Sequence, residues 1–200
     1  MASAECRGLK TQRMATAHSI DFVALDVETA SAAIASICQL GMAFFEEGRL
    51  LTVETHLVRP RRFAATHTAI HGIDSSVVTE ADVWEEVYAR VRSRVSGKVI
   101  VSHTLFDRRS IFQACCRDRV AMFSYLHWID SCQIARQAWP ELESYSLGGL
   151  ARHHGIRYRA HDAGEDARVA GKVYLLALKE IAERGNEPPH QATKRPVIGR

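Results

Sequence analysis

Three short segments of the chain carry carboxylates whose spacing suits metal-dependent chemistry. Asp26 and Glu28 lie two residues apart near the end of an apolar run, and because strand side chains alternate, both project from one face of a strand. Two carboxylates on one face repel each other and lose hydration unless a cation compensates them. A strand that had already reached solvent would leave both acids merely hydrated, so this pair alone does not define a site.

The other two segments place acids at the starts of predicted helices. Asp107 follows a predicted strand at 98–102, and it could serve simply as a helix N-cap. His161 precedes a predicted helix whose first turn holds Asp166, where compensation of the helix dipole would explain the acid by itself. Each of these segments therefore has a structural interpretation when it is taken alone.

Taken together, the acids of the three segments could converge on one cleft. A set of oxygen ligands suits Mg²⁺ or Mn²⁺ rather than zinc. Two such ions about 3.5–4 Å apart stabilise both the attacking and the leaving oxygen of a phosphodiester displacement. A histidine such as His161 is a suitable proton acceptor from the attacking water. The residues therefore indicate metal-dependent phosphoryl chemistry.

The elements predicted around these residues form an α/β domain. Strands are predicted at 20–26, 36–45, 50–58, 98–102 and 127–130, and helices at 80–95, 107–117, 146–154 and 163–183. The stretch 59–76 is predicted to be irregular. Asp162 is expected to cap the last helix, with Glu165 completing a capping box. Three strands followed by alternating helices and strands predict a mixed sheet.

Length, composition and charge exclude several classes of protein. The 200 residues are 46% hydrophobic and 24% charged, which fits one globular domain rather than a collagen, a coiled coil or a membrane span. The net charge of +3 divides into +2 for 1–18, +3 for 184–200 and −2 for 19–183. We expect a disordered leader at 1–18, a folded domain at 19–183 and a flexible basic tail at 184–200. Five cysteines without a C-x-x-C pair favour a cytoplasmic location, and no membrane partner is expected.

The order and separation of the three acidic segments resemble those of a known enzyme family. D-V-E-T at 26–29, S-H-T-L-F-D at 102–107 and H-D-A-G-E-D-A at 161–167 resemble the three exonuclease motifs of the DEDDh family. This DnaQ-like group of 3′–5′ exonucleases includes the epsilon proofreading subunit of bacterial DNA polymerase III. The segment A-I-H-G-I at 69–73 resembles the I/V-H-G-I segment of its epsilon-like members. The resemblance implies a ribonuclease-H-like three-layer α/β fold with a five-stranded mixed sheet flanked by helices.

The resemblance also implies roles for individual residues. The residues that would hold two Mg²⁺ or Mn²⁺ ions are Asp26, Glu28, Asp107 and Asp166. His161 would be the general base, and these five together form the predicted catalytic set. Thr29 and Phe106 fall where the family holds the 3′-terminal nucleotide. The other substrate-binding candidates, all within the motif segments, are Val27, His71 and His103.

The function implied is hydrolysis of phosphodiester bonds at a single-stranded or frayed DNA 3′ end by a two-metal mechanism, releasing nucleoside monophosphates. A proofreading or repair role, with a DNA polymerase as partner, is one expectation. An exoribonuclease acting on RNA 3′ ends is an open alternative, because contacts to the 2′-hydroxyl need no signature motif. A non-catalytic module that binds nucleic acid or a polymerase is another. The sequence leaves the oligomeric state open.

Overall fold

One mixed sheet lies at the centre of the molecule. The computed structural model describes residues 20–185, and its five strands are β1 (Phe22–Thr29), β2 (Ile37–Glu46), β3 (Arg49–Leu57), β4 (Lys98–Ser102) and β5 (Tyr125–Asp130). They are ordered β3-β2-β1-β4-β5. β1 and β3 are antiparallel to β2, whereas β4 is parallel to both β1 and β5. The five-stranded mixed sheet predicted from the sequence is confirmed.

Seven helices accompany the sheet within residues 20–185. They are α1 (Ala65–His71), α2 (Ser75–Val78), α3 (Trp84–Val95), α4 (Phe106–Arg117), α5 (Ser131–Ala138), α6 (Leu147–His153) and α7 (Ala163–Glu183). None of these helices has the length and apolar character needed to cross a bilayer.

Three helices are absent from the sequence-based prediction. The prediction that 59–76 is irregular is wrong, since α1 and the start of α2 lie there. α1 buries none of its residues, so it leaves no apolar periodicity in the sequence. α5 follows β5 without a loop, and Asp130 caps it by accepting the N–H of Gln133 at 2.9 Å. Where a strand is joined directly to a short helix, no turn residues separate the two elements, so the sequence pattern does not show the boundary.

Side chains of β1 alternate between two hydrophobic cores on opposite faces of the sheet. Phe22 and Ala24 pack in the core shared with α5, α6 and α7. Val23 and Leu25 pack in the core shared with α3 and α4. β1 is therefore a central strand buried on both faces, and its continuation decides which residues enter either layer.

The start of α7 lies in direct contact with β2. The backbone N–H of Ala163 donates to Gln39 Oε1 at 2.9 Å. A Cβ at Gly41 would lie 1.9 Å from the Ala163 carbonyl oxygen, and a Cβ at Gly164 would lie 2.2 Å from Thr55 Oγ1. Two positions without side chains therefore allow the helix start to approach the sheet at this point.

The domain bounds inferred from the sequence stay a prediction. The predicted leader at 1–18 lies outside them, and of the predicted tail at 184–200 they include only Arg184 and Gly185. Within the described range, secondary structure begins at Phe22 and ends at Glu183.

Candidate active site

The second half of β1 supplies two carboxylates to the α7 side of the sheet. Asp26 and Glu28 pair with Gly41 and Gln39 of β2, so both lie within β1, which extends to Thr29. The predicted strand, 20–26, ended three residues before the end of β1. Because alternate residues share a face, the two acids continue the series that packs under α7. The start of α7 covers this part of β2, so the acids lie beside that helix.

Asp107 reaches the same strand from α4. The pairing of β1 with β4 ends at Ala24, which leaves the Val27 N–H without a partner strand on that side. Asp107 Oδ1 accepts this N–H at 3.0 Å, and the residue is only 4% exposed. The N-cap of α4 is Leu105, so the interpretation of Asp107 as a helix cap is wrong. Its carboxylate instead satisfies a backbone donor of the central strand.

The start of α7 places the third acidic segment. Asp162 caps the helix, as predicted, by accepting the N–H of Glu165 at 3.2 Å. The predicted capping box is incomplete, because Arg168 binds the Glu165 carboxylate at 2.7 Å. Asp166 Oδ2 accepts the backbone N–H of His161 at 2.8 Å. Two hydrogen bonds thus join the residues just before α7 to its first turn, one from the His161 N–H to Asp166 and one from the Glu165 N–H to Asp162.

His161 adopts a backbone conformation that is uncommon for a residue with a side chain. Its φ is +61°, in the left-handed region. Its side chain is 54% exposed, and its Nδ1 lies 3.9 Å from Glu28 Oε1. Ligand atoms of Glu28, His161 and Asp166 all lie within 4.8 Å of one another. The local strain is offset by the surrounding contacts, and it sets the imidazole beside the carboxylates.

The acidic segments meet in one cleft of about 500 Å³. Eight of the residues that line it are site residues predicted from the sequence: Asp26, Val27, Glu28, His103, Phe106, Asp107, His161 and Asp166. The further lining residues are Thr104, Ser146, Leu147, Gly148, Tyr158 and Ala160. All five residues predicted to be catalytic therefore face one space, together with three of the five substrate-binding candidates.

Thr29 and His71, the other two substrate-binding candidates, do not line this cleft. His71 Nδ1 accepts the N–H of Ile73 at 3.0 Å, so its Nε2 carries the proton and donates to the Thr29 carbonyl oxygen at 3.3 Å. His67 Nδ1 lies 2.9 Å from the same oxygen. Both histidines therefore fasten α1 to the end of β1.

His103 and Phe106 line the cleft in different ways. His103 Nε2 lies 2.9 Å from the Tyr145 carbonyl oxygen, which only accepts, so this nitrogen donates; Nδ1 lies 3.2 Å from Ser131 Oγ. Burial lowers the pKa of His103, which favours the neutral ring in this structural role. Phe106 is 40% exposed, so its ring presents an apolar surface to whatever enters the cleft.

The carboxylates of the cleft strongly disfavour their own ionisation. Burial raises the pKa of Glu28 to about 7 and that of Asp107 to about 7. Burial also raises the pKa of Asp166 to about 6. The pKa of Asp26 is raised well above its usual range, first by burial and then by the neighbouring acids, Asp107 foremost. Four acids that repel one another at neutral pH favour the binding of a compensating cation.

A family model described as Exonuclease (RNase_T) matches residues 23–174, which include all of these carboxylates. The chain belongs to the exonuclease family. The resemblance to DnaQ-like exonucleases of the DEDDh type, drawn from the motifs, is thereby confirmed. This exonuclease-family chain is 23% identical over 147 residues to the 3′–5′ exonuclease DinG of Staphylococcus aureus strain USA300. That match covers 72% of the chain but only 16% of DinG.

Solved structures of nucleases share the fold of this exonuclease-family protein. Exonuclease X in complex with 5′-overhanging duplex DNA has a TM-score of 0.63 and 22% identity, over 82% of this chain and 93% of that one. The nuclease domain of 3′hExo, a DEDDh family member bound to rAMP, has a TM-score of 0.64 and 13% identity, over 90% and 96%. Zinc-bound Escherichia coli ExoI with single-stranded DNA has a TM-score of 0.67 and 19% identity, over 83% and 41%. The ribonuclease-H-like fold is confirmed.

The residues of the cleft fit divalent ions of the hard class. Four carboxylates from β1, α4 and α7 supply oxygen ligands, and no Lys or Arg is among the described residues that line the cleft. Burial of uncompensated carboxylates is costly, and a divalent ion offsets that cost. In this exonuclease-family protein, the side chains that would hold such ions are those of Asp26, Glu28, Asp107 and Asp166.

Several residues that shape the site carry no signal in the sequence motifs. Gln39 and Gly41 position the start of α7 from β2, and Tyr158 lines the cleft from the loop before His161. Tyr158 lies three residues before the third motif, but neither its type nor its spacing distinguishes it from a packing tyrosine. Gly148 of α6 lines the cleft next to Tyr158, and only the tertiary structure brings α6 there.

Proposed function

We propose that this protein is a metal-dependent 3′–5′ exonuclease that hydrolyses the terminal phosphodiester bond of a single-stranded or frayed DNA 3′ end. Water would attack the phosphorus atom, the bond to the 3′ oxygen of the penultimate nucleotide would break, and a nucleoside 5′-monophosphate would leave. The proposal is supported above all by four carboxylates from three elements that face one cleft, without a Lys or Arg among its described lining residues.

The bound ions would supply Lewis acidity and would offset the charge that develops on the phosphoryl oxygens. The chain's own task is to hold their ligands in place. Asp107 is fixed by the Val27 N–H, and Asp166 by the His161 N–H. These bonds to backbone donors preorganise carboxylates that would otherwise move apart through repulsion.

His161 would take the proton of the attacking water. Its side chain is exposed towards the cleft, and Nδ1 lies 3.9 Å from Glu28 Oε1. Nε2 would accept the proton, and the nearby Glu28 carboxylate would stabilise the imidazolium so formed. Phe106 and Leu147 add apolar surface, against which the terminal base and sugar would pack. The Val27 side chain is only 5% exposed and packs in the core shared with α3 and α4.

The decisive test replaces Asp26 by Asn, which keeps the size of the side chain and removes its charge. We expect Asp26→Asn to lower the rate of strand shortening by more than about 100-fold with Mg²⁺ or Mn²⁺ supplied, because a ligand charge is lost. The measurement is the ladder formed from a 5′-labelled oligonucleotide, with EDTA as a second arm. Thermal unfolding of the variant would show that the fold is kept.

A matched control neutralises an acid far from the cleft. The Glu183 side chain at the end of α7 is 62% exposed, so Glu183→Gln should shorten the strand at the unaltered rate. Oligonucleotides of one sequence, made as DNA and as RNA, would decide between the proposed deoxyribonuclease and the alternative exoribonuclease. Undiminished shortening by Asp26→Asn, or no shortening of either strand by the unaltered protein, would contradict the proposal.

A further inference from the structure

Tyr158 is a polar aromatic residue of the cleft that the proposed mechanism does not use. Its half-buried ring packs against the core on the α7 side, and its edge lines the cleft. The hydroxyl lies against the start of α6, since a Cβ at Gly148 would lie 3.6 Å from the hydroxyl oxygen. The carboxylates of Asp166 and Asp26 are near enough to influence its ionisation. The phenol therefore lies between Gly148 of α6 and the carboxylates of Asp26 and Asp166.

The Tyr158 hydroxyl has a proton to donate and no protein acceptor for it in residues 20–185. The hydroxyls of Tyr88 and Tyr145, by contrast, donate to carbonyl oxygens at 3.0 and 2.6 Å. Burial, followed by the charges of Asp166 and Asp26, raises the pKa of Tyr158, so the phenol is neutral at physiological pH. A neutral phenol beside carboxylates is suited to donate to an incoming ligand.

The chemistry of the substrate identifies the acceptor. Its scissile phosphate must approach Asp26 and Asp166, where the compensating ions would bind, and its non-bridging oxygens are charged acceptors. The described residues that line the cleft include no Lys or Arg to meet them. The base and sugar have apolar surface at Phe106 and Leu147 instead. A donor placed beside the acids therefore matches the phosphate better than it matches the base.

We infer that the Tyr158 hydroxyl donates a hydrogen bond to a non-bridging oxygen of the scissile phosphate and so positions that phosphate for attack. The inference rests on the proposed function and adds to it a residue that contacts the substrate. Tyr158 would act on a phosphate in either DNA or RNA, since the acceptor is common to both.

The test compares Tyr158→Phe with the unaltered protein on two substrates. The first is an oligonucleotide with an ordinary terminal phosphodiester; the second carries a phosphorothioate there, as separate diastereomers, with Mn²⁺ supplied. Sulfur accepts hydrogen bonds weakly, so removal of the hydroxyl should matter only where oxygen is the acceptor. We expect kcat to fall about tenfold on the phosphate and less than about twofold on one phosphorothioate diastereomer.

Tyr88→Phe is the matched control, because its hydroxyl bonds to the Ala121 carbonyl oxygen on the opposite face of the sheet. It should lower the thermal unfolding midpoint without changing kcat on any of the substrates. Equal losses for Tyr158→Phe on the phosphate and on both diastereomers, or no loss at all, would overturn the inference while leaving the exonuclease proposal intact. Absence of hydrolysis by the unaltered protein would instead overturn both.

Discussion

At the scale of single residues, His161 combines an uncommon backbone conformation with a position in the cleft. Its φ of +61° places it in the left-handed region, which few residues with a side chain adopt, although Asn, Asp and His do so more often than the others. The same backbone turn lets its N–H bond to Asp166 while its ring lies near Glu28. A substitution at this position therefore tests chemistry cleanly only if the new residue tolerates that conformation.

Asn meets this condition, so His161→Asn should separate the chemistry from the backbone strain. Asn adopts the left-handed region readily, keeps the N–H bond to Asp166 and cannot serve as a general base at neutral pH. We expect kcat to fall about 10²–10⁴-fold, with the unfolding midpoint nearly unchanged. Single-turnover hydrolysis and thermal unfolding are the two measurements. His161→Val is the contrasting variant, because a β-branched residue at this φ should also destabilise the fold.

A rate within a few-fold of the unaltered protein for His161→Asn would remove His161 from the proton transfer. Loss of the fold in that variant would show that the ring is needed for packing. The 54% exposure of the side chain argues against the second outcome, since an exposed ring contributes little buried contact.

At the scale of elements, the approach of α7 to β2 sets the distance between the acids of β1 and Asp166. Gly41 is the pairing partner of Asp26 on β2, and the Ala163 carbonyl lies directly over it. Gly171, two turns further along α7, meets the ring of Phe45 in the same way, with a built Cβ 2.3 Å from a ring carbon. The helix is thus held close to the sheet at two separate points, of which only the first adjoins the site.

Replacement of the two glycines should therefore have different effects. Gly41→Ala would force the start of α7 away from β1 and move Asp166, because the obstacle is backbone that cannot rotate aside. We expect it to lower the free energy of unfolding by about 1–3 kcal/mol and to reduce the activity of the folded fraction. Gly171→Ala should cost comparable stability but leave the activity per folded molecule near that of the unaltered protein. Urea unfolding and active-site-normalised rates measure both.

Equal specific activity in Gly41→Ala and Gly171→Ala would contradict this account of the element contacts. The comparison does not depend on how much either variant is destabilised, since the rate is expressed per folded molecule. The comparison shows only whether a displacement of α7 beside the acids lowers activity more than a displacement of α7 two turns further along.

At the scale of the whole molecule, the charge of the cleft links folding to pH and to metal. Residues 19–183 carry a formal net charge of −2, to which the four cleft acids contribute −4 when all of them are ionised. Two divalent ions would change −2 to +2, which suits a polyanionic substrate. The net charge of residues 19–183 is thus negative only while no ions are bound. Two bound ions would make it positive without any contribution from the basic residues at the ends of the chain.

Without metal, these acids should make the protein less stable as the pH rises. The folded-state pKa values of Glu28 and Asp107, both about 7, lie above those of the unfolded chain, so the folded form binds more protons between about pH 4 and 7. Their contribution to stability is complete below that window and is lost as the pH rises through it. In EDTA, Glu28→Gln should therefore show a smaller fall in unfolding free energy between pH 5 and pH 8 than the unaltered protein.

Divalent ions bind the deprotonated acids and should oppose that loss. At an ion concentration of 100 times the dissociation constant, one site adds about 2.7 kcal/mol to the free energy of unfolding. Urea unfolding at both pH values, with EDTA or Mn²⁺, measures each effect, and Glu183→Gln is the control outside the cluster. If the unfolding free energy of Glu28→Gln in EDTA had the same pH dependence as that of the unaltered protein, the proposed link between the cleft acids and stability would be refuted.

Much of the fold was predictable because its signals are local. Apolar runs located all five strands, and α3, α4, α6 and α7 lie near their predicted positions. The Asp162 cap of α7 was likewise readable from residue type and spacing. α1, α2 and α5 were not predicted, because short helices with little periodic burial leave no comparable pattern. The observed strand and helix bounds differ from the predicted ones by up to several residues. The most important difference is at β1, whose last residues carry the acids.

The sequence by itself determined that the chain has a DnaQ-like exonuclease pattern, and it predicted which residues would carry the chemistry, since residue types and their order suffice for a motif. Only the tertiary structure decided how they meet: Gly41 and Gln39 admit the start of α7, and Asp107 accepts a hydrogen bond from a strand N–H that β4 leaves free. It also brought the Tyr158 hydroxyl against Gly148 of α6 within the cleft. It also assigned His71 to fastening α1 rather than to lining the cleft. The physical reason is that burial, repulsion and hydrogen-bond satisfaction depend on contacts between segments far apart in the chain, and no local pattern records those contacts.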